Sequence, residues 1–281
     1  MRLTCLALLM AGLALGADRP ESNPRRVTVF TGDEILPQVV GGGAWQTTIQ
    51  LMNMGTVPAH VFVDFYGNDG NPLAFQIVGE SSAVSTIERD IPVGGSLRIE
   101  TATGSEIPLN VGYAWITTET DMERVGGMAI LCQRIPGRED YEAVVPVNSI
   151  FDPRIIFPFD NVRPYTTTFA MVNPFDVEAS VSVVVRNEAG EQIDTEAITL
   201  APYEHRNFIM RDTWEAAVDN ERGAVEFQTT NTGGLSVMGL RFNDTGAFTS
   251  FHGLTMWDWA PQEAAPISGA IAARPTRSAV R

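Results

Sequence analysis

The stretch Val61-Phe62-Val63-Asp64-Phe65-Tyr66, followed by Gly67-Asn68-Asp69-Gly70, decides the fold class. Val61, Val63 and Phe65 alternate with Phe62, Asp64 and Tyr66, the period of a strand with one buried face. Asp69-Gly70 is a hairpin signal, because both residues tolerate positive φ. The pattern recurs 120 residues later, where Val181, Val183 and Val185 hold the same parity and Asn187-Glu188-Ala189-Gly190 supplies the turn. A one-residue slip would turn every side chain to the opposite face, so the shared parity predicts that both stretches bury the same one.

Working outward, Trp45-Gln46-Thr47-Thr48-Ile49-Gln50-Leu51-Met52-Asn53 aligns with Tyr165-Thr166-Thr167-Thr168-Phe169-Ala170-Met171-Val172-Asn173 at the same offset. Ile35-Leu36-Pro37 answers Ile156-Phe157-Pro158, one residue out of step. Farther on the offset falls to 110: Pro92 answers Pro202, Ala114-Trp115 answers Ala224-Val225, and Ala129-Ile130 answers Gly239-Leu240. The first half therefore carries about ten extra residues inside 74–90, an added hairpin, interaction loop or plain surface loop. A repeat of this length is a domain and not a solenoid unit.

Further alternating runs cover 96–101, 112–118, 127–134 and 142–147, then 192–200, 205–210, 223–230, 235–242 and 248–256. About seven short strands per half, separated by turn residues, is the sandwich pattern. The expected fold is all-β, with two tandem antiparallel β-sandwiches from an internal duplication, at 25–149 and 150–261. The short link Phe151-Asp152-Pro153-Arg154 predicts that they touch. One helical turn is expected at 212–218, with Asp212 as N-cap, Glu215 at the capping-box spacing, and Trp214 and Val218 on one face.

The run from Leu51 to Gly70, with Asn173-Pro174, the alternating valines and Gly190 in the second half, resembles the strand-turn-strand core of bacterial extracellular immunoglobulin-like or fibronectin-like domains. The resemblance implies a β-sandwich of bacterial origin and brings no catalytic residue with it.

Residues 1–16, MRLTCLALLMAGLALG, read as a signal peptide: one arginine, a short apolar run, and Ala14 and Gly16 at the peptidase spacing. The run is too short for a comfortable membrane span, so a secreted or periplasmic chain without a transmembrane segment is expected. Residues 262–281, rich in Ala, Pro, Ser and Arg, read as a disordered tail. Cys5 leaves with the signal, and the one remaining thiol, Cys132, reads as a small buried filler with no disulfide partner.

The chain has 281 residues and a net charge of −15, and all 19 of its basic residues are arginine. Without lysine there is no Walker phosphate site, Schiff base or kinase strand lysine. The acidic balance argues against nucleic acid as a partner. His60, His205 and His252 form no metal-binding motif, and no cofactor is expected apart from calcium. Asp64, Asn68, Asp69 and Asn71 gather at one hairpin and are candidate calcium ligands, oxygen donors that would serve turn geometry equally well. Trp257 and Trp259, on alternate positions, are candidate ligand-binding residues that could stack on a sugar ring or a peptide. The expected function is non-catalytic: an exported structural, adhesive or protein-binding module of the bacterial envelope or extracellular space, meeting a protein or glycan through loops or an edge strand. The alternatives are a carboxylate-based glycan hydrolase, a carbohydrate-binding protein, or an accessory subunit of an envelope complex.

Overall fold

The parity holds in three dimensions: Val61, Val63, Phe65, Val181, Val183 and Val185 are all fully buried. Each is worth roughly 1.5–3 kcal/mol of apolar burial. The computed structural model describes residues 34–119, 124–149, 153–229, 234–251 and 253–255. The expected signal 1–16 and tail 262–281 lie outside the described residues.

The first half contains β1 (Glu34–Gly41), β2 (Trp45–Asn53), β3 (Ala59–Gly67), β4 (Thr86–Ile91), β5 (Ser96–Glu100), β6 (Asn110–Thr118), β7 (Val125–Gln133), β8 (Tyr141–Pro146) and β9 (Asn148–Ser149). The second contains β10 (Arg154–Asp160), β11 (Thr166–Val172), β12 (Ala179–Asn187), β13 (Gln192–Leu200), β14 (His205–Ile209), helix α1 (Met210–Val218), β15 (Arg222–Thr229), β16 (Ser236–Phe242), β17 (Phe248–Phe251) and β18 (Leu254–Thr255). They form four antiparallel sheets. The orders are β4-β3-β6-β1-β9 and β5-β2-β7-β8, then β13-β12-β15-β10-β18 and β14-β11-β16-β17. Strand for strand, the second pair repeats the order of the first. In each half the larger and smaller sheets enclose one apolar cluster, around Ile49, Val63 and Ile116 in the first and Phe169, Val183 and Phe227 in the second.

Two polar residues explain why the segment 45–53 reappears at 165–173. The Thr47 hydroxyl donates to the Val40 carbonyl and accepts from the Val40 N–H, both at 2.8 Å, tying β2 to β1 across the sandwich. Thr167 does the same for Asp160, at 3.0 and 2.9 Å. At the other end, the Asn53 amide donates to the Val57 and Ile91 carbonyls, and Asn173 donates to those of Val177 and Ala201. All four side chains are buried, and leaving such backbone groups unmet costs about 1–3 kcal/mol each.

The ladders refine the alignment. Val63 pairs with Ile116 and Val183 with Phe227, so Ala114 corresponds to Val225, one residue from the expected match to Ala224. Gly112 and Gly223 then coincide, and a Cβ on either would lie 1.9 Å from a neighbouring carbonyl oxygen, that of Tyr66 or Arg186. The insertion runs inward at its base and is exposed at its tip, 78–83. Phe75 and Val84 form a two-bond bridge, Val78 N–H reaches the Glu100 carbonyl, and Ala102 N–H reaches that of Gln76. Phe75 and Ile77 are thereby driven into the first core. Helix α1 begins two residues before Asp212, which lies in its first turn instead of capping it. Trp214 and Val218 pack into the second core as expected.

The halves meet over a broad junction. The outer face of sheet β14-β11-β16-β17 lies across the β1 flank of the first half, where Ala170, Met238, Leu240, Phe242 and Phe248 join the first core. Trp45 and Phe248 approach to 5.4 Å between ring centroids. Beside them, Ile35, Tyr66, Tyr113 and Trp115, from outward positions of the larger sheet, cluster with Val172, Phe175 and Tyr203. Gly70, at φ 75°, turns the hairpin so tightly against Tyr203 that a Cβ there would lie 2.6 Å from the tyrosine Cβ.

Candidate interaction surfaces

The hairpin that carries the calcium candidates serves turn geometry and the junction. Asp69 accepts the Asn71 N–H at 3.0 Å and its side-chain amide at 2.8 Å, and Asp64 accepts the Thr86 hydroxyl at 2.7 Å. Asn68 faces the other way: its carbonyl accepts the His205 N–H and its side-chain oxygen lies 2.8 Å from His205 Nδ1. Among the described residues no three His, Cys, Asp or Glu gather as a metal cluster. Trp257, Trp259 and His252 lie outside the described residues.

His205 is the polar centre of the junction and is fully buried. Its Nε2 lies 3.1 Å from Gln38 Oε1. A neutral ring has one donor and one acceptor nitrogen, so one of its two amide neighbours must present NH2, and the otherwise unpartnered Gln38 Nε2 can do so. Burial pushes the His205 pKa down to about 3, against a small opposing contribution from the Pro37 carbonyl. Sequence spacing could not reveal this contact, since its partners lie 137 and 167 residues away. His60, by contrast, sits at the β3–β4 edge between Asp90, 2.6 Å away, and Glu88, 2.9 Å away. Hydrogen bonds to the two carboxylates raise its pKa. Cys132 is buried, which raises its thiol pKa, as a filler requires.

An open cleft of about 290 Å³ lies between the insertion and the turn before β6, walled by Ala74, Phe75, Ala83 and Pro108, with Glu106 as its ionisable residue. One carboxyl does not make the paired acids that glycoside hydrolysis uses.

Two sheet faces stay uncovered. On sheet β13-β12-β15-β10-β18 the outward residues are largely polar. Glu226 is held by Arg154 at 2.6 Å and Arg186 at 3.2 Å. Burial pulls the Glu226 carboxyl upward, but the two guanidiniums outweigh it and hold its pKa below the usual range. On sheet β5-β2-β7-β8 the outward face carries Met52 at 45 %, Met128 at 37 % and Val144 at 47 % exposure, with Met54 beside Gly126 at 65 %. Among the described residues, four of the eight exposed large apolar side chains thus lie on or beside this one sheet face.

The sequence matches no known family model and no curated protein.

The ladders place Met52 at the position of Val172, Met128 at that of Met238 and Ile130 at that of Leu240. In the second half these residues are buried in the junction; in the first half the equivalent face is open. Parity contained part of the signal, since Met52 on β2, Met128 and Ile130 on β7 and Val144 on β8 are apolar at outward positions, among Gln46, Thr48, Gln50 and Glu142 on the same face. It could be recognised only once the register showed which positions face out.

Proposed function

We propose that the two halves are tandem copies of one immunoglobulin-like β-sandwich and that the chain is a non-catalytic exported module. It works by holding a protein partner at the bacterial envelope or outside the cell. The binding surface is the outer face of sheet β5-β2-β7-β8. The observation that carries this reading is the exposure of Met52, Met128 and Val144 on a face whose counterpart in the second half is fully engaged. Contiguous exposed apolar surface on a folded domain marks a contact site. Export rests on the leader-like residues 1–16. No helix among the described residues is long and apolar enough to cross a membrane.

Site-specific photo-crosslinking in the producing cell tests the proposal. A photoreactive residue at Met128 or Val144 is expected to give an adduct with a second polypeptide, and one at Thr195, on the outer side of the second half, to give none. Turnover of a glycan by the purified chain, undiminished by Val144→Glu, would overturn it.

A further inference from the structure

We infer that the cleft between the insertion and the turn before β6 receives a basic side chain, arginine or lysine, of a partner polypeptide. The inference does not depend on the open face of sheet β5-β2-β7-β8, and it gives the insertion a role of its own.

The cleft belongs to one half only. Between β3 and β4 the chain runs through 68–85, whereas 188–191 alone join β12 to β13. The extra residues form one wall of the cleft, and 106–108 form the other. Both walls are held by hydrogen bonds of the fold itself. Phe75 and Val84 exchange N–H···O bonds at 2.9 Å. The Gly43 N–H reaches the Ile107 carbonyl, and the Gly104 N–H reaches that of Gly43, each at 3.0 Å. The Asn110 side-chain amide donates to the Ala74 carbonyl at 2.9 Å and ties wall to wall. A site whose walls are already fixed loses little freedom when it is filled.

The lining selects the guest. Ala74, Ala83 and Pro108 offer apolar sides for a hydrocarbon stem. The polar groups of the lining are acceptors. The Gln76 amide donates to the Glu80 carbonyl at 3.2 Å, as Asn110 does to Ala74. Carbonyls only accept, so both NH2 groups are placed, and the side-chain oxygens of Gln76 and Asn110 remain as acceptors beside the Glu106 carboxylate. Among the described residues Glu106 meets the Ser105 hydroxyl, at 3.3 Å, and no basic side chain. Apolar sides with one carboxylate suit an aliphatic stem that ends in a cation. A bare metal ion is served poorly, since calcium takes six to eight oxygens and much of this lining has none. A sugar is served poorly as well, since Phe75 is buried and presents no open ring face. At about 290 Å³ the cleft lies at the small end of ligand sites, the scale of one long side chain. The net charge of −15 draws cationic partners toward the whole molecule.

Amide NMR of the full chain, titrated with N-acetyl-arginine amide and with its neutral isostere N-acetyl-citrulline amide, tests this. The arginine probe is expected to shift the amides of Ala74, Gln76, Ala83 and Asn110 and to bind roughly fivefold tighter than citrulline, the upper gain of an exposed ion pair. Glu106→Gln is expected to remove that difference, and Glu139→Gln, an exposed carboxylate between β7 and β8, to leave it. Ala83→Trp, which fills the cleft from its exposed rim, is expected to abolish both titrations with an unchanged circular dichroism spectrum. Val144→Glu is expected to alter neither, so this inference and the proposed function stand or fall separately. Unshifted cleft amides overturn the inference, as do equal affinities for the two probes or a difference that survives Glu106→Gln. It is overturned equally if calcium chloride or putrescine saturates the same amides at a lower concentration than the arginine probe.

Discussion

The two halves share a strand order and differ most at one place, the flank beside their first strands. In the first half Trp45, Val40 and Leu131 belong to a single apolar cluster that runs on into Leu240, Phe242 and Phe248 of the second. In the second half the same positions hold Tyr165, Asp160 and Arg241, closed on one another by ion pairs and a ring contact. The neighbouring outer face repeats the contrast: Tyr66, Tyr113 and Trp115 in one half stand where Arg186, Ala224 and Glu226 stand in the other. The same strand order thus carries an apolar dock in one half and a closed, charged flank in the other. A few side chains at one end of the sandwich make the difference, Asp160, Tyr165 and Arg241 standing where Val40, Trp45 and Leu131 stand, while the central inward positions stay apolar in both halves.

The strongest way to break the comparison is to remove the dock. Trp45→Ala is expected to cost about 3–5 kcal/mol, the usual loss for a large buried aromatic. Tyr165→Ala at the equivalent half-buried position is expected to cost about 1 kcal/mol. Urea unfolding followed by circular dichroism would give both values, and equal losses would erase the distinction.

Acid should act on the same junction. Burial holds the His205 pKa down to about 3 in the folded chain, against the ordinary 6.5 of an exposed imidazole. Between these limits the unfolded chain binds a proton that the buried ring refuses. Its contribution to stability is therefore whole above pH 6.5 and declines as the pH falls toward 3, by about 1.4 kcal/mol per unit. The difference in pH slope between the wild type and His205→Asn isolates it from the carboxylates titrating in the same range. A zero difference would show that the ring is reached by water.

A smaller effect probes the charged face of the second half. Glu226→Ala leaves Arg154 and Arg186 facing one another and is expected to cost about 1–2 kcal/mol, toward the low end because both guanidiniums reach solvent. Thermal unfolding would measure it. Smallest of all, Val144→Glu on the open face is expected to change monomer stability by less than about 0.5 kcal/mol, since the residue is exposed. A large loss would mean that the face belongs to the folding core.

The sequence made the parity of 61–65 and 181–185 legible, and with it the all-β character, because one buried face imposes a period of two. It also made Thr47 and Asn53 visible through their counterparts Thr167 and Asn173, although only the hydrogen bonds explained the repetition. The inward course of 74–85 was not legible, since Phe75 and Ile77 reach the core from irregular backbone that has no period. The short link 151–154 showed that the halves touch, but not through which surfaces, since Tyr66, Tyr113 and Trp115 occupy positions that in an isolated sheet would face water. The helix at 210–218 was placed two residues late because the spacing of Asp212 and Glu215 mimics a start signal.

The shared cluster around Trp45 has a consequence for the order of synthesis. Five buried residues of the first core, Ala170, Met238, Leu240, Phe242 and Phe248, emerge from the ribosome long after β1 and β2. The amino-terminal portion cannot complete its own interior while the chain is still being made. The first half therefore reaches its full packing only when the far end of the chain is in place.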